Sequence, residues 1–197
     1  VLFRSFPKST STPKPLQQNG PPIWIAARDP NSHEFAINNS CNVQVTPLWQ
    51  DYNEVQDLIM KFNSAKKKCN PQSQSKIMLL QHTYVSDEKN ELDEAAKKFS
   101  EFYAHFGAWF QNQRPVNQAS IKKLSSKELS LLDMYAPEKM KKNLLFGTID
   151  EVTSRLKDYE KLGYDEFSYW IDSGMSYDEK VSSLNNFIQR VMPAFKS

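Results

Sequence analysis

A chain of 197 residues, 39% hydrophobic and 24% charged, is long enough to bury one sizeable core and has the composition of a globular domain. Its 25 Lys and Arg stand against 23 Asp and Glu, a net charge of +2 with the two signs interleaved, which argues against a nucleic-acid surface. No apolar stretch approaches the roughly 20 residues of a membrane span, and Cys41 and Cys69 have neither CxxC spacing nor a nearby His pair, so neither a metal site nor a disulfide framework is signalled. A reducing, cytoplasmic compartment is the expectation.

Residues 1–20 are rich in Pro, Ser, Thr and Gln without periodicity and read as an irregular lead-in. The chain opens on Val1 with no initiating Met, as a fragment of a longer protein would. From residue 21 a rhythm begins. Ile23 to Ala27 is a short apolar strand, and Asp29-Pro30 places an N-cap residue and a first-turn proline at the start of a helix. Val43 to Thr46 is a second strand, followed by a helix with Val55, Leu58, Ile59 and Phe62 on one face and Lys66, Lys67 and Lys68 at its end, where cations suit the dipole. A third strand, Ile77 to Val85, leads into a helix with an apolar stripe of Leu92, Ala95, Ala96, Phe99, Phe102, Tyr103 and Phe106, read as a third strand–helix unit.

Residues 109–143 break the rhythm and read as an excursion with one or two short helices. Thr148 and Glu151 then have capping-box spacing ahead of a helix through Val152, Leu156, Tyr159 and Leu162, which Gly163 ends. Glu166 to Ile171 is a fourth strand, and Ser176 and Glu179 form a second capping box before a helix through Val181, Leu184, Ile188 and Val191. Alternating strands and helices imply right-handed crossovers and a parallel sheet, either a small open one or half of a barrel.

The ordered segments PPIWIAARDPNSHEFA, NVQVTPL, LLQHTYVSDE and LFGTIDEVTSRLKDYEKLGYDEFSYW, running on to NNFIQRVMPAF, resemble the luciferase-like, flavin-dependent monooxygenases. The resemblance covers Pro21 to Phe195 and implies an α/β fold: a TIM (β/α)8 barrel of which only the last four units are present. It places the fifth strand at Ile23 and makes residues 109–143 a mobile insertion between the seventh strand and seventh helix. It further implies FMN as the cofactor, with the deazaflavin coenzyme F420 as the alternative, a small organic substrate, molecular oxygen, a flavin reductase as a compatible partner, and a dimeric parent. The catalytic residues are expected in the half that is not here, so the chain alone is expected to be inactive. A non-catalytic flavin-binding or partner subunit is the reading from another class.

The resemblance also carries a candidate cofactor site onto this sequence. Ala26 matches an apolar residue against the flavin ring, and Arg28, Asp29 and Ser32 lie in a loop that meets the flavin phosphate at a helix start. Asp29 departs from the family's Ser, and a carboxylate there repels phosphate unless it turns back to cap its helix. His82, within the third strand, is a candidate for the barrel mouth; His33 and His105 read as packing or surface residues, and most of Trp24, Trp49, Trp109 and Trp170 as core.

Overall fold

A computed structural model describes residues 12–18, 20–111, 114–171 and 174–195. Most of the lead-in lies outside the described residues, and positions 12–18 form bends and a turn. The expected strands and helices are present in order: β1 (Trp24–Ala26), α1 (Pro30–Asn38), β2 (Asn42–Val45), α2 (Tyr52–Cys69), β3 (Ile77–Val85) and α3 (Lys89–Phe110). There follow a small hairpin, β4 (Val116–Asn117) and β5 (Ser120–Ile121), then α4 (Ser126–Ser130), a 3-10 turn (Asp133–Tyr135) and α5 (Pro137–Asn143). The chain continues through β6 (Leu145–Gly147), α6 (Ile149–Leu162), β7 (Glu166–Trp170) and α7 (Tyr177–Asn186), and ends in a π-helical turn (Phe187–Val191) and a last 3-10 turn (Met192–Phe195).

The helices start where capping chemistry puts them. Asp29, Asp51, Ser125, Thr148 and Ser176 each accept a backbone N–H of the first turn, the last three in full capping boxes. Gly163, at φ 102°, ends α6 in the left-handed conformation that glycine adopts without cost. Lys66, Lys67 and Lys68 sit in the last turn of α2 as expected; Lys66 lies over the Phe62 ring and Lys68 pairs with Glu34 of α1.

The sheet is parallel and β3 is its hub, bonded to β2, β6 and β7. Alternate residues of a parallel strand bond to opposite edges, which fixes the arrangement. Val43 N donates to Lys76 O and Ser86 N to Gly147 O, so β2 and β6 share the edge used by even-numbered residues. Asp165 N donates to Ile77 O, so β7 holds the other. Beyond the end of β7, α7 takes over that edge: Ser183 Oγ accepts from Val85 N at 2.8 Å and Asn186 Nδ2 donates to Val85 O at 3.1 Å.

Two apolar clusters sit on opposite faces. Odd-numbered residues Val43, Val45, Ile77, Leu79 and Val85 pack with α1, α2, α6 and the π-helical turn. Even-numbered Tyr84 packs instead with α3, Tyr135 and Met140. This corrects the reading of α3 as the crossover helix of the third unit. The helix forms as its stripe predicts, but the connection that returns the chain to β7 along the helix-covered face is α6; α3 belongs with α4 and α5 to an excursion that starts right after β3. The excursion thus takes in α3 as well as the hairpin and short helices that follow it. The rest of the even face, carrying Trp24, Ala26, Asn42, Gln44, Met78, Leu80, Ser168 and Trp170 in register, belongs to neither apolar cluster and is the uncovered face; Ala26 is exposed and the others are half-buried.

Candidate functional site

The carboxyl ends of parallel strands gather the loops that bind ligands in α/β folds, and here they bring together the β1–α1 loop, the β2–α2 loop and the base of the excursion. The β1–α1 loop is pinned by Ala27 N donating to Gln44 O at 3.0 Å. Asp29 is extended (φ −95°, ψ 155°) and turns its carboxylate back on α1: Oδ1 accepts from Ser32 N at 3.1 Å and Oδ2 from Ser32 Oγ at 2.5 Å. The Ser32 hydroxyl, then its amide, hold the Asp29 carboxyl below the usual carboxylate range. Pro30 at the helix start has no N–H to offer. Arg28 Nη2 reaches Glu54 Oε1 in the first turn of α2, at 2.7 Å.

The structure places the four residues expected at the cofactor close together. Ala26, Arg28, Asp29 and Ser32 all lie at the end of β1, with Ala26 on the uncovered face. Asp29 takes both Ser32 donors, and Glu54 takes one N–H of the Arg28 guanidinium. In this conformation the Ser32 amide and hydroxyl face the Asp29 carboxylate, so an anion at the helix start would have to displace it.

Below this loop His33, on α1, is fully buried, edge-on to Phe62, with neither ring nitrogen hydrogen-bonded. Burial drives its pKa below the ordinary value; the Ala27 carbonyl opposes that shift without meeting hydrogen-bond geometry. It is a packing residue. His105 is held by both nitrogens, Nδ1 against Glu101 O and Nε2 accepting from Leu124 N, and it tethers the excursion.

The expectation for His82 resolves into a buried constellation. His82 lies on the even face at the end of β3, opposite Trp170 in the ladder, and its ring stacks on the indole at 3.9 Å and 16°. The excursion closes over it. Phe99, Phe102 and Tyr103 of α3 stand edge-on at 5.2, 5.3 and 5.2 Å, and the Tyr103 hydroxyl meets His82 Nδ1 at 2.5 Å. Both residues are fully buried. Trp49, from the β2–α2 loop, stands edge-on to Tyr103 at 5.8 Å and to Tyr135 at 5.3 Å. The role of Tyr103 is not legible locally, since its position in the apolar stripe of α3 marks it only as core.

The Thr148 and Glu151 box is a helix cap: Glu151 N donates to Thr148 Oγ1, Thr148 N to Glu151 Oε2, and Asp87 accepts from Ile149 N. Gly147 precedes it at φ 150°, a backbone conformation that strains a side chain, and a Cβ there would stand 2.9 Å from Glu151 Cβ. Cys41 and Cys69 are free thiols, and no helix among the described residues is long and apolar enough to cross a membrane.

Comparison with known proteins gives this geometry its context. A family profile described as luciferase-like monooxygenase matches residues 3–166. The oxygenase component of the flavin-dependent trigonelline monooxygenase of Acinetobacter baylyi is 53% identical over 193 residues, 98% of this chain and 54% of that protein. The chain therefore spans about half the length of the curated relative it matches. Among solved structures, the monooxygenase RslO1 from Streptomyces bottropensis superposes with a TM-score of 0.67 at 20% identity, over 99% of this chain and 54% of its own. The coenzyme F420-dependent tetrahydromethanopterin reductase from Methanopyrus kandleri does so at 0.62 and 15%, over 89% and 51%. The oxygenating constituent of 3,6-diketocamphane monooxygenase from Pseudomonas putida, in complex with FMN, does so at 0.60 and 13%, over 89% and 49%. At those identities the three share the fold. With a family profile matched over most of its length, the chain belongs to the luciferase-like monooxygenase family.

Proposed function

We propose that this chain is the later half of the oxygenase component of a flavin-dependent monooxygenase, in which reduced FMN and molecular oxygen oxidise a small nitrogen-heteroaromatic acid of the trigonelline type. The observation that carries this is the 53% identity to the trigonelline monooxygenase oxygenase component along 98% of the chain. The name "oxygenase component" favours a separate flavin reductase as partner. FMN is favoured over coenzyme F420 because that relative is flavin-dependent, while the F420-dependent structures resemble this chain at 15% identity or less.

The architecture is read as the last four units of a TIM barrel, its strands being β1, β2, β3 and β7, with residues 86–148 as an insertion after the seventh strand. The uncovered face is then the barrel lumen, and α3 to α5 form a lid over its mouth. FMN, when bound, supplies the redox chemistry; this chain supplies one wall, with Ala26 and Trp170 on the lumen face and the Arg28–Ser32 loop at the phosphate end. That assignment requires Asp29 to release Ser32, and Arg28, leaving Glu54, to offset the carboxylate. The catalytic groups are assigned to the part of the protein outside this chain, so the chain alone is proposed to be inactive, and the working unit to be a dimer in the cytoplasm.

The test is oxygen uptake and product analysis with the full-length protein, an FMN reductase, NADH and trigonelline, alongside FMN titration by fluorescence. Coupled oxygen consumption with an oxygenated product is expected. Tight FMN binding without turnover of any heteroaromatic acid would leave the non-catalytic subunit as the reading, and absence of FMN binding would end both.

A further inference from the structure

We infer that Tyr103 is a redox-active tyrosine, with His82 as its proton acceptor and Trp170 and Trp109 as the ends of a path that carries an oxidising equivalent from the lumen face to the surface. Four observations meet here. The Tyr103 hydroxyl is fully buried and bonded to His82 Nδ1 at 2.5 Å, so the proton that phenol oxidation must release has a base in contact with it. Its other ring neighbours, Trp49, Phe102 and Phe106, are aromatic, and the cluster around them is apolar, with the thioethers of Met140 and Met175 at a greater remove in the same core. Trp170 is half-buried on the uncovered face and stacks on the same imidazole at 3.9 Å. Tyr103 leads outward along α3 through Phe106, 6.2 Å away, to Trp109, a further 5.9 Å, whose side chain is 56% exposed. Six helical residues are on the order of 9 Å of rise, within reach of a single electron hop between Tyr103 and Trp109.

The chemistry balances. A one-electron oxidant of the hydroxyl-radical class at the lumen face, formed when a reduced transition-metal ion cleaves the hydrogen peroxide of failed turnover, takes an electron from Trp170, becoming hydroxide and leaving the Trp170 radical cation. Tyr103 returns that electron to Trp170 and passes its phenolic proton to His82 Nδ1, giving a neutral tyrosyl radical beside an imidazolium. An electron from Trp109, replaced at the surface by a thiol- or ascorbate-class reductant, and the proton held on His82 restore the phenol. The cluster thus spares the lumen from oxidative damage, and it rests on the proposed function only for the source of the oxidant.

The experiment supplies its own oxidant. Flash-quench oxidation of the full-length protein with ruthenium tris(bipyridine) and persulfate, read by pulsed electron paramagnetic resonance, is expected to give a long-lived tyrosyl radical hydrogen-bonded to a nitrogen. The wild-type measurement needs no variant: a tyrosyl signal without nitrogen coupling, or none, overturns the assignment. Tyr103→Phe is expected to abolish that signal while keeping its packing. His82→Gln, which still accepts a hydrogen bond but not a proton, is expected to lower the yield, and Trp109→Phe, which removes the electron that restores the phenol, to lengthen the signal's decay. Undiminished yield in His82→Gln would reduce the pair to a structural contact and overturn the proposal. Because no flavin takes part, the result is independent of whether the protein turns over trigonelline.

Discussion

An imidazole sealed beneath the β1–α1 loop with neither nitrogen hydrogen-bonded folds in its neutral form, and this gives His33 a pH signature. The unfolded chain takes up a proton near the ordinary value of about 6.5, the folded chain only below it, so stability is full at high pH and falls as pH drops through that value. One such group contributes a slope of at most about 1.4 kcal/mol per pH unit. In His33→Leu the fall in melting temperature of the full-length protein between about pH 7.5 and 5.5 should shrink; an unchanged slope would show that other groups set it. Asp29 makes a prediction of opposite kind. Its carboxylate holds Ser32 where a phosphate is proposed, so Asp29→Ser should tighten FMN binding several-fold in a fluorescence titration, and unchanged affinity would remove the loop from the site. The cap itself was legible, since Asp-Pro before a helix has one common use. The commitments that complete the loop were not, because Arg28 meets Glu54 across 26 positions and His82 meets Tyr103 across 21, and neither spacing has a local signature.

Elements are joined by a few polar contacts that report on the insertion. Lys98 of α3 pairs with Glu179 in the first turn of α7, tying the excursion to the strand–helix core. Burial pushes the Glu179 carboxyl up, but Lys98 and the Ser176 hydroxyl and amide outweigh it and bring the group down to about 2 from 4.5. A depressed carboxylate stabilises the fold above its unfolded pKa and loses that contribution as pH falls, here between about 4.5 and 2. Glu179→Gln should therefore be less stable at neutral pH and lose part of the acid-range slope, as read by circular dichroism melts. Ser183 does comparable work at the end of β3, satisfying Val85 N and meeting Tyr169 Oη at 2.7 Å. Ser183→Ala leaves a buried N–H unpaired and should cost about 1–3 kcal/mol in urea titration of the full-length protein. The strands and helices were readable from period and caps, and their partners were not. The stripe of α3 announces a buried face without saying which face of the sheet it meets, and three-residue β6, Leu145–Gly147, is too short for alternation to show.

At the scale of the whole molecule, the open edges decide behaviour. Parallel sheets bury both faces and close or cover their edges. Here β1 bonds only β2 and β7 only β3 among the described residues, while the even face between them is half-exposed. The two edges are not equal. β1 is three residues long and follows Pro22, a blunted edge, whereas β7 is five residues, EFSYW, with no proline. The chain alone should therefore associate through β7, and light scattering after gel filtration should show species larger than a monomer. Co-expression with the other half of the protein should collect it into a one-to-one complex. A substitution separates edge pairing from general stickiness. Odd-numbered residues of β7 turn their N–H toward β3, as Asp165 does, so the Ser168 N–H points to the free edge. Proline is tolerated on an edge strand where its missing N–H faces outward. Ser168→Pro should leave the β3–β7 ladder and the core intact by circular dichroism, yet reduce both self-association and capture of the other half. If the variant associates as the wild type does, apolar contact through the uncovered face, rather than strand addition at β7, holds the copies together.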